Sequence, residues 1–431
     1  MLLVVGLVIG SGIFIVPATV LRQTGGAVGP AMLVWVAGGV LSLLGALTYA
    51  ELGAMRPDAG GLYVYLRDAF GPLPAFLYGW TKFFVIGSGS VATLAVAFTI
   101  YLGRLVPVPG AVGKVVSVLM IAVVMAINVR GARQGSDVQN WATGLKVGAI
   151  LVMSVVLLAM GKELGASVDN LWPATVSPSP LSGVGPAMIG VLWAYEGWQY
   201  VTFSAAETID PQRTFPRAIW VGTALLIGIY VLANVGYLAA LGPDAAARSE
   251  RIAADAVGAL LGPGAGKAIA AVILVSMFSA ANGITLTAPR LYYAMARDGV
   301  FFARLAEVHP RFGTPAFAIV VSSLWAMGLA ATGTFEQLLT YVVFVGWIFY
   351  ALGALAVLTF RRREPNAERP FRVPGYPFTP LLFVTSAAAI VLNTVVTQPG
   401  RAAIGLGMVM LGVPAFFVWR ARARTAAKEA A

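Results

Sequence analysis

Apolar runs separated by short polar stretches recur along the whole chain. Each run is roughly 20 residues, enough for a helix to cross a hydrocarbon core of about 30 Å. The pattern and its breakers predict about twelve spans. They lie near residues 1–22, 28–55, 72–104, 112–129, 140–161, 184–209, 217–242, 257–289, 314–333, 336–360, 377–397 and 402–420. The third and eighth are longer than a bilayer needs and are expected to tilt or to extend beyond the lipid. The loops are short, and the largest, around 243–256, is too small for a soluble domain. Residues 1–431 therefore read as one all-α integral membrane domain.

Two spans carry interruptions. The first contains Val8-Ile9-Gly10-Ser11-Gly12-Ile13-Phe14. Each Gly costs about 0.8–1 kcal/mol relative to Ala inside a helix. Broken backbone at bilayer depth survives only where protein or a water-filled cavity surrounds it. Such a break leaves N–H groups aimed at one spot, which suits an anion. A Gly/Ser face for close helix packing is the alternative. The sixth span contains Trp193-Ala194-Tyr195-Glu196-Gly197-Trp198-Gln199, where a carboxylate and a glycine interrupt an apolar helix. Spans one and six open two successive sets of five, 1–161 and 184–360, with two additional helices in 377–420. Interrupted helices at matching places in two halves point to a transporter site. The half-helix N-termini offer positive dipole ends to an anion, and freed carbonyls suit a cation. A zwitterion carries both charges, so an amino acid fits better than a sugar or an inorganic ion.

Composition narrows the class. Apolar residues make up 59% of the chain and charged residues 11%, where a soluble domain has about 25% charged. The 49 glycines suit close helix packing. No cysteine is present, which excludes disulfides, a disulfide-linked partner, thiolate catalysis and cysteine metal sites. The lone histidine, His309, sits beside Pro310 in a basic loop and reads as a solvated loop residue. A net charge of +11 invites a nucleic-acid partner, but the basic residues cluster between apolar spans. With both termini inside, 19 basic residues fall in inner segments and 8 in outer ones. That bias places both termini in the cytoplasm. The first span lacks a basic leader and continues past Pro17 to Arg22, unlike a cleavable signal peptide.

Charged groups inside spans are costly and raise functional hypotheses. Lys146 lies in span five: it either snorkels to the membrane edge or acts as a fixed cation linking helices. Glu51 and Lys82, near predicted span ends, are expected to make structural pairs. Glu207 and Asp210, before Pro211, are expected to cap or to pair with inner-loop arginines. Glu196 has three readings: a carboxylate facing a cationic substrate, a carboxyl kept neutral by burial, or a tie between helices. Asn282 either hydrogen-bonds across helices or contributes to coupling.

These residues carry a resemblance. Gly10-Ser11-Gly12-Ile13-Phe14, Tyr49-Ala50-Glu51-Leu52-Gly53 and Gly60-Gly61-Leu62-Tyr63-Val64-Tyr65-Leu66 are part of it, with Ala194-Tyr195-Glu196-Gly197-Trp198. So are Glu207-Thr208-Ile209-Asp210-Pro211, Phe215-Pro216-Arg217-Ala218, Asn282-Gly283 and the run from Pro289 to Gly299. Over nearly its whole length the chain resembles the amino acid–polyamine–organocation (APC) superfamily, most closely the L-type amino acid transporters and their bacterial relatives. The resemblance implies a five-plus-five inverted repeat with broken helices 1 and 6, two further helices, and a bacterial-type plasma membrane. It implies that the substrate carboxylate meets the amides of Ser11, Gly12 and Ile13 around Gly10. The amine would meet carbonyls of Val8, Trp193 and Glu196, with Ala194 and Gly197 completing the second break. Lys146 matches the family lysine that stands where relatives bind sodium, which implies sodium-independent transport. Two departures stand out. Only about nine residues, roughly 13 Å of helix, precede the break, and Trp193 replaces a phenylalanine common in relatives, which narrows the pocket.

The resulting expectation is a transporter of neutral L-amino acids by alternating access, as exchanger or uniporter, with Lys146 and Asn282 in coupling or gating. A carrier of cationic amino acids or polyamines is second, motivated by Glu196. A non-transporting amino-acid receptor is the rival of another class. A channel would need a long polar face, and an enzyme a metal cluster, a close carboxylate pair or a nucleophile–histidine arrangement. No cofactor or metal is expected.

Overall fold

The computed structural model describes residues 2–57, 60–169, 171–172, 178–207 and 210–429; among these there are helices and no strands. The first span is two helices, α1 (Leu2–Val8) and α2 (Gly12–Gln23), parted at Ile9, Gly10 and Ser11. The second is α3 (Val28–Met55), with the bounds that the apolar pattern predicts. A short helix that the pattern does not predict, α4 (Leu62–Phe70), follows the positive-φ pair Gly60 and Gly61. The third span joins α5 (Pro72–Thr81), a π-helical turn (Lys82–Gly87) and α6 (Ser88–Leu102). Then come α7 (Gly110–Arg130), α8 (Ala132–Met160) and the short α9 (Leu164–Asp169).

The predicted sixth span is not one helix. It is α10 (Pro178–Ala194), then a turn at Tyr195–Gly197 and a 3-10 segment (Trp198–Glu207). The seventh, α11 (Pro211–Arg248), is kinked at Gly242, whose φ of 68° lies outside helical values. The predicted long eighth span is two helices, α12 (Ile252–Leu261) and α13 (Pro263–Thr287). Gly262 at φ +88° divides them, and Pro263 then begins the new helix without needing an N–H partner. The rest is α14 (Pro289–Arg297), a 3-10 turn (Ala303–Ala306), α15 (Ala316–Thr332), α16 (Phe335–Arg363), α17 (Phe378–Thr397) and α18 (Pro399–Glu429). Nine stretches of the described residues are long and apolar enough to cross a membrane unaided. The broken α1–α2 span, α10 with its 3-10 continuation, and α15 complete the predicted set.

Helices approach closely where small residues allow it. On α3, Gly38 faces Val191, Gly39 faces Tyr195 and Ile227, and Gly45 faces Trp198. α3 packs along α11, α2 lies against α10, and α1 lies between α8 and α13. Trp35 is wedged against Tyr195 and Tyr230, ring centroids 6.1 and 5.9 Å away. The outer surface is the reverse of a water-soluble one: Val152, Leu392, Val396 and Met410 are more than 60% exposed. Apolar side chains on that surface suit lipid contact.

Candidate functional site

The two interruptions face each other. A Cβ on Gly12 would run into the backbone of Ala194, and one on Gly197 would lie 3.0 Å from the Leu7 carbonyl group. Gly197 sits at φ +136°, a conformation that a side chain would strain. The α2 N-terminus, with amides of Gly12 and Ile13 lacking helical partners, is thereby held against the end of α10.

One small cavity lies at the crossing. Its wall includes Val8, Gly10, Ser11, Gly12, Trp193, Glu196 and Gly197, joined by Leu7, Ser90, Leu94, Tyr200 and Ile284. Its volume is about 20 Å³, room for about one water molecule. The Trp193 indole N–H donates to Ser11 Oγ (3.1 Å), bridging the two breaks. Glu196 Oε1 accepts from the Tyr350 hydroxyl (2.6 Å) and from Gln199 Nε2, so it ties the unwound segment to α16 while also lining the cavity. Tyr230 on α11 spans both breaks, donating toward the carbonyls of Val8 (3.2 Å) and Ala194 (3.1 Å).

Lys146 is buried, not snorkelled. Its Nζ donates to the carbonyls of Gly6 (2.5 Å) and Ile9 (2.9 Å) and to Ser279 Oγ (3.4 Å). Ser276 Oγ also donates to Ile9 O (3.2 Å). An ammonium on carbonyls freed by the break links α8, α1 and α13. Asn282 stands outside the cavity wall; its Oδ1 accepts from Asn128 of α7 (2.8 Å), and Ile13 and Ala194 are buried just behind the wall. His309 is a loop residue whose Nδ1 accepts from the Arg311 amide (3.2 Å). Asp210 stands at the N-cap position of α11 in a left-handed conformation at φ 47°, but its side chain makes no capping hydrogen bond. The Glu207 side chain, Thr208 and Ile209 lie outside the described residues.

Lys82 corrects its expectation. It is not near a span end and makes no pair with a carboxylate among the described residues. It is fully buried, and its ammonium lies 3.5 Å from the centre of the Tyr200 ring. Glu51 does pair: Arg361 grips both its oxygens (2.9 and 2.7 Å), and the Val373 amide adds a third bond (2.7 Å).

The two ends of the molecule differ. At one, a vestibule of about 790 Å³ opens between α2, α6, α7, α10 and α16. Its wall reaches Ile15, Val16, Ile189 and Gly190, one helical turn from Gly12 and Trp193. At the other, charged pairs draw the helix ends together. Arg56 bonds Asp68 (2.5 Å) and Glu364 (2.6 Å), and Arg67 bonds Asp298 (2.7 Å). Tyr63 donates to the same Asp298 oxygen (2.7 Å); burial and this bond push its phenol above the ordinary value.

Comparison with known proteins agrees with this architecture. Residues 1–416 match the amino acid permease family. The chain belongs to that family. The permease is 32% identical to mouse (Mus musculus) b(0,+)-type amino acid transporter 1 over 92% of its own length and 81% of the relative's. It is 31% identical to the human cystine/glutamate transporter, covering 97% and 83%. It is 29% identical to the serine/threonine exchanger SteT of Bacillus subtilis (strain 168), covering 97% and 95%. The permease is thus a membrane transporter and not an enzyme.

The residues of this permease that sequence reasoning missed are Tyr230, Tyr350, Gln199 and Tyr200. Gln199 has a signal, since it stands three residues after Glu196. Tyr230 and Tyr350 lie in apolar helices with nothing local to mark them.

Proposed function

We propose that this permease carries a neutral L-amino acid across the membrane by alternating access, without sodium. The supporting observation is the pair of facing breaks, with free amides at the α2 N-terminus and the Lys146 ammonium seated on Gly6 and Ile9 carbonyls. The substrate carboxylate takes the amides of Ser11, Gly12 and Ile13. To reach them it displaces the Trp193 indole from Ser11. The substrate amine takes carbonyls of the breaks, with Val8, Trp193 and Glu196 the nearest, once Tyr230 releases Val8. Lys146 supplies from within the protein the charge that a sodium ion would bring, and Asn282 tethers α13 to α7 during the change of state.

In this reading 1–161 and 184–360 are the two repeats, which rock about the site, and 377–420 adds two flanking helices. Both termini are cytoplasmic, by the excess of basic residues at that face, so the vestibule opens outward and the Arg56–Asp68 end is the closed inner gate. The names of relatives, among them a serine/threonine exchanger and a large neutral amino acids transporter subunit, support an amino acid substrate and make exchange the first mode to test. Uptake of radiolabelled L-serine, L-alanine, L-leucine and L-phenylalanine into sodium-free proteoliposomes is the experiment. Flux that rises with internal amino acid marks an exchanger; flux without it marks net uptake. Absence of flux for every amino acid in a full panel rejects the proposal.

A further inference from the structure

Lys82 is a buried charge that the transport reading leaves unused. Burying an ammonium is costly unless something compensates it. Among the described residues its Nζ has no hydrogen-bond partner. What it has is aromatic surface: Tyr200 at 3.5 Å and Phe203 at 5.4 Å from the ring centres. A cation over an aromatic face is attracted by the ring quadrupole. The π-helical turn Lys82–Gly87 begins at this residue, and the Tyr292 hydroxyl donates to the Lys82 carbonyl (3.2 Å). Such turns recur at functional positions.

The Tyr200 ring is also cavity wall, as are Ser90, to whose Oγ the Tyr200 hydroxyl donates (3.4 Å), and Glu196. Tyr200 thus stands between the Lys82 ammonium, packed on its ring, and the cavity that it shares with Glu196, and the two hydrogen-bond donors on the Glu196 carboxylate, Tyr350 and Gln199, are neutral. We infer that Lys82 is the specificity-determining residue of this permease. It is a built-in counter-ion to Glu196 that excludes substrates with cationic side chains. A lysine, ornithine or polyamine ammonium seeking Glu196 meets a like charge already in place, where the low dielectric weakens the repulsion little. The vestibule carries the same sign: Arg22, Lys114, Arg251 and Arg401 line it against Glu250 and Glu336. Approach of cations is thus disfavoured before the cavity is reached.

This inference rests on the transport reading, and the test separates the two. Proteoliposomes containing wild type, Lys82→Met, Lys82→Gln and Lys82→Met/Glu196→Gln are assayed for uptake of a neutral amino acid. Inhibition by L-lysine and L-ornithine is scored relative to inhibition by unlabelled neutral substrate for each protein separately. In wild type, L-lysine is expected to compete at least about tenfold more weakly than the neutral substrate. Lys82→Met and Lys82→Gln are expected to shift that ratio toward L-lysine by about tenfold, and the added Glu196→Gln to abolish the gain. Equal competition by L-lysine in wild type overturns the inference with no variant needed. So does a ratio unchanged in both single variants. No neutral flux in wild type fails the transport reading instead.

Discussion

Gly12 and Lys146 show how much depends on single side chains here. At Gly12 the absent Cβ is what lets α2 touch the Ala194 backbone. Gly12→Val is expected to abolish amino acid binding, read as loss of the substrate-induced thermal shift in detergent. Wild-type affinity in that variant would remove Gly12 from the site. Lys146 pins two carbonyls that the break has freed. Lys146→Ala leaves the Gly6 carbonyl buried without this donor, at about 1–3 kcal/mol for an unsatisfied group, while the Ile9 carbonyl keeps the Ser276 hydroxyl. Turnover is expected to fall more than substrate affinity, measured as separate changes in kcat and KM for uptake. A raised KM with unchanged kcat would mean that the lysine serves only binding. Both residues stand in the sequence as evident anomalies, a glycine pair and a charge within apolar runs. Lys82 is the same kind of anomaly, yet its environment was not legible. Its partner is a ring face 118 positions away along the chain, and ring faces leave no charge pattern to match.

Element boundaries follow local chemistry where glycine and proline dictate it. Gly262-Pro263 divides the eighth span because the glycine takes a left-handed conformation and the proline begins a helix without an N–H. Hydropathy alone runs straight through such a joint, since both flanks are apolar. The breaks of α1–α2 and of α10 with its 3-10 continuation were legible because small and polar residues concentrate there. What holds the broken pieces together was not. Tyr230 reaches across from α11 to carbonyls of both. Tyr230→Phe removes that bridge and is expected to lower stability by about 0.5–1.5 kcal/mol, measured as a denaturation midpoint shift without added substrate. An unchanged midpoint would show that packing of the ring against Trp35 and Tyr195 suffices. The Glu51–Arg361 pair makes a comparable joint between α3 and α16. Glu51→Gln is expected to lower thermal stability, because the half-buried guanidinium loses its ionic partner.

Asymmetry between the ends is a property of the whole molecule. One end holds the vestibule, the other the Arg56, Asp68, Glu364, Arg67 and Asp298 pairs. Because the chain lacks cysteine, single introduced cysteines report sidedness directly. Thr19→Cys, in the vestibule wall, is expected to react with a membrane-impermeant thiol reagent added outside intact cells. Arg311→Cys, in the opposite loop, is expected to react only after the cells are opened. The reverse pattern would invert the proposed orientation. Arg56→Ala, which removes the cation that joins Asp68 to Glu364 at the closed end, is expected to increase labelling of Ser90→Cys in the cavity wall from the Arg311 side. Unaltered labelling would show that these partly exposed pairs do not hold the gate, as is common for surface ion pairs.

The sequence by itself determined that this is a helical membrane protein, where most of its spans run, and at which residues two of them must break. These are properties of short windows: apolar length sets crossing, and glycine, proline and buried charge set interruption. Tertiary structure alone decided which groups meet at the crossing. Lys146 finds Ile9 from 137 residues away and Tyr230 finds Val8 from 222. Such distances are closed by packing of whole helices, and periodicity within any one helix carries no record of the partner it will face.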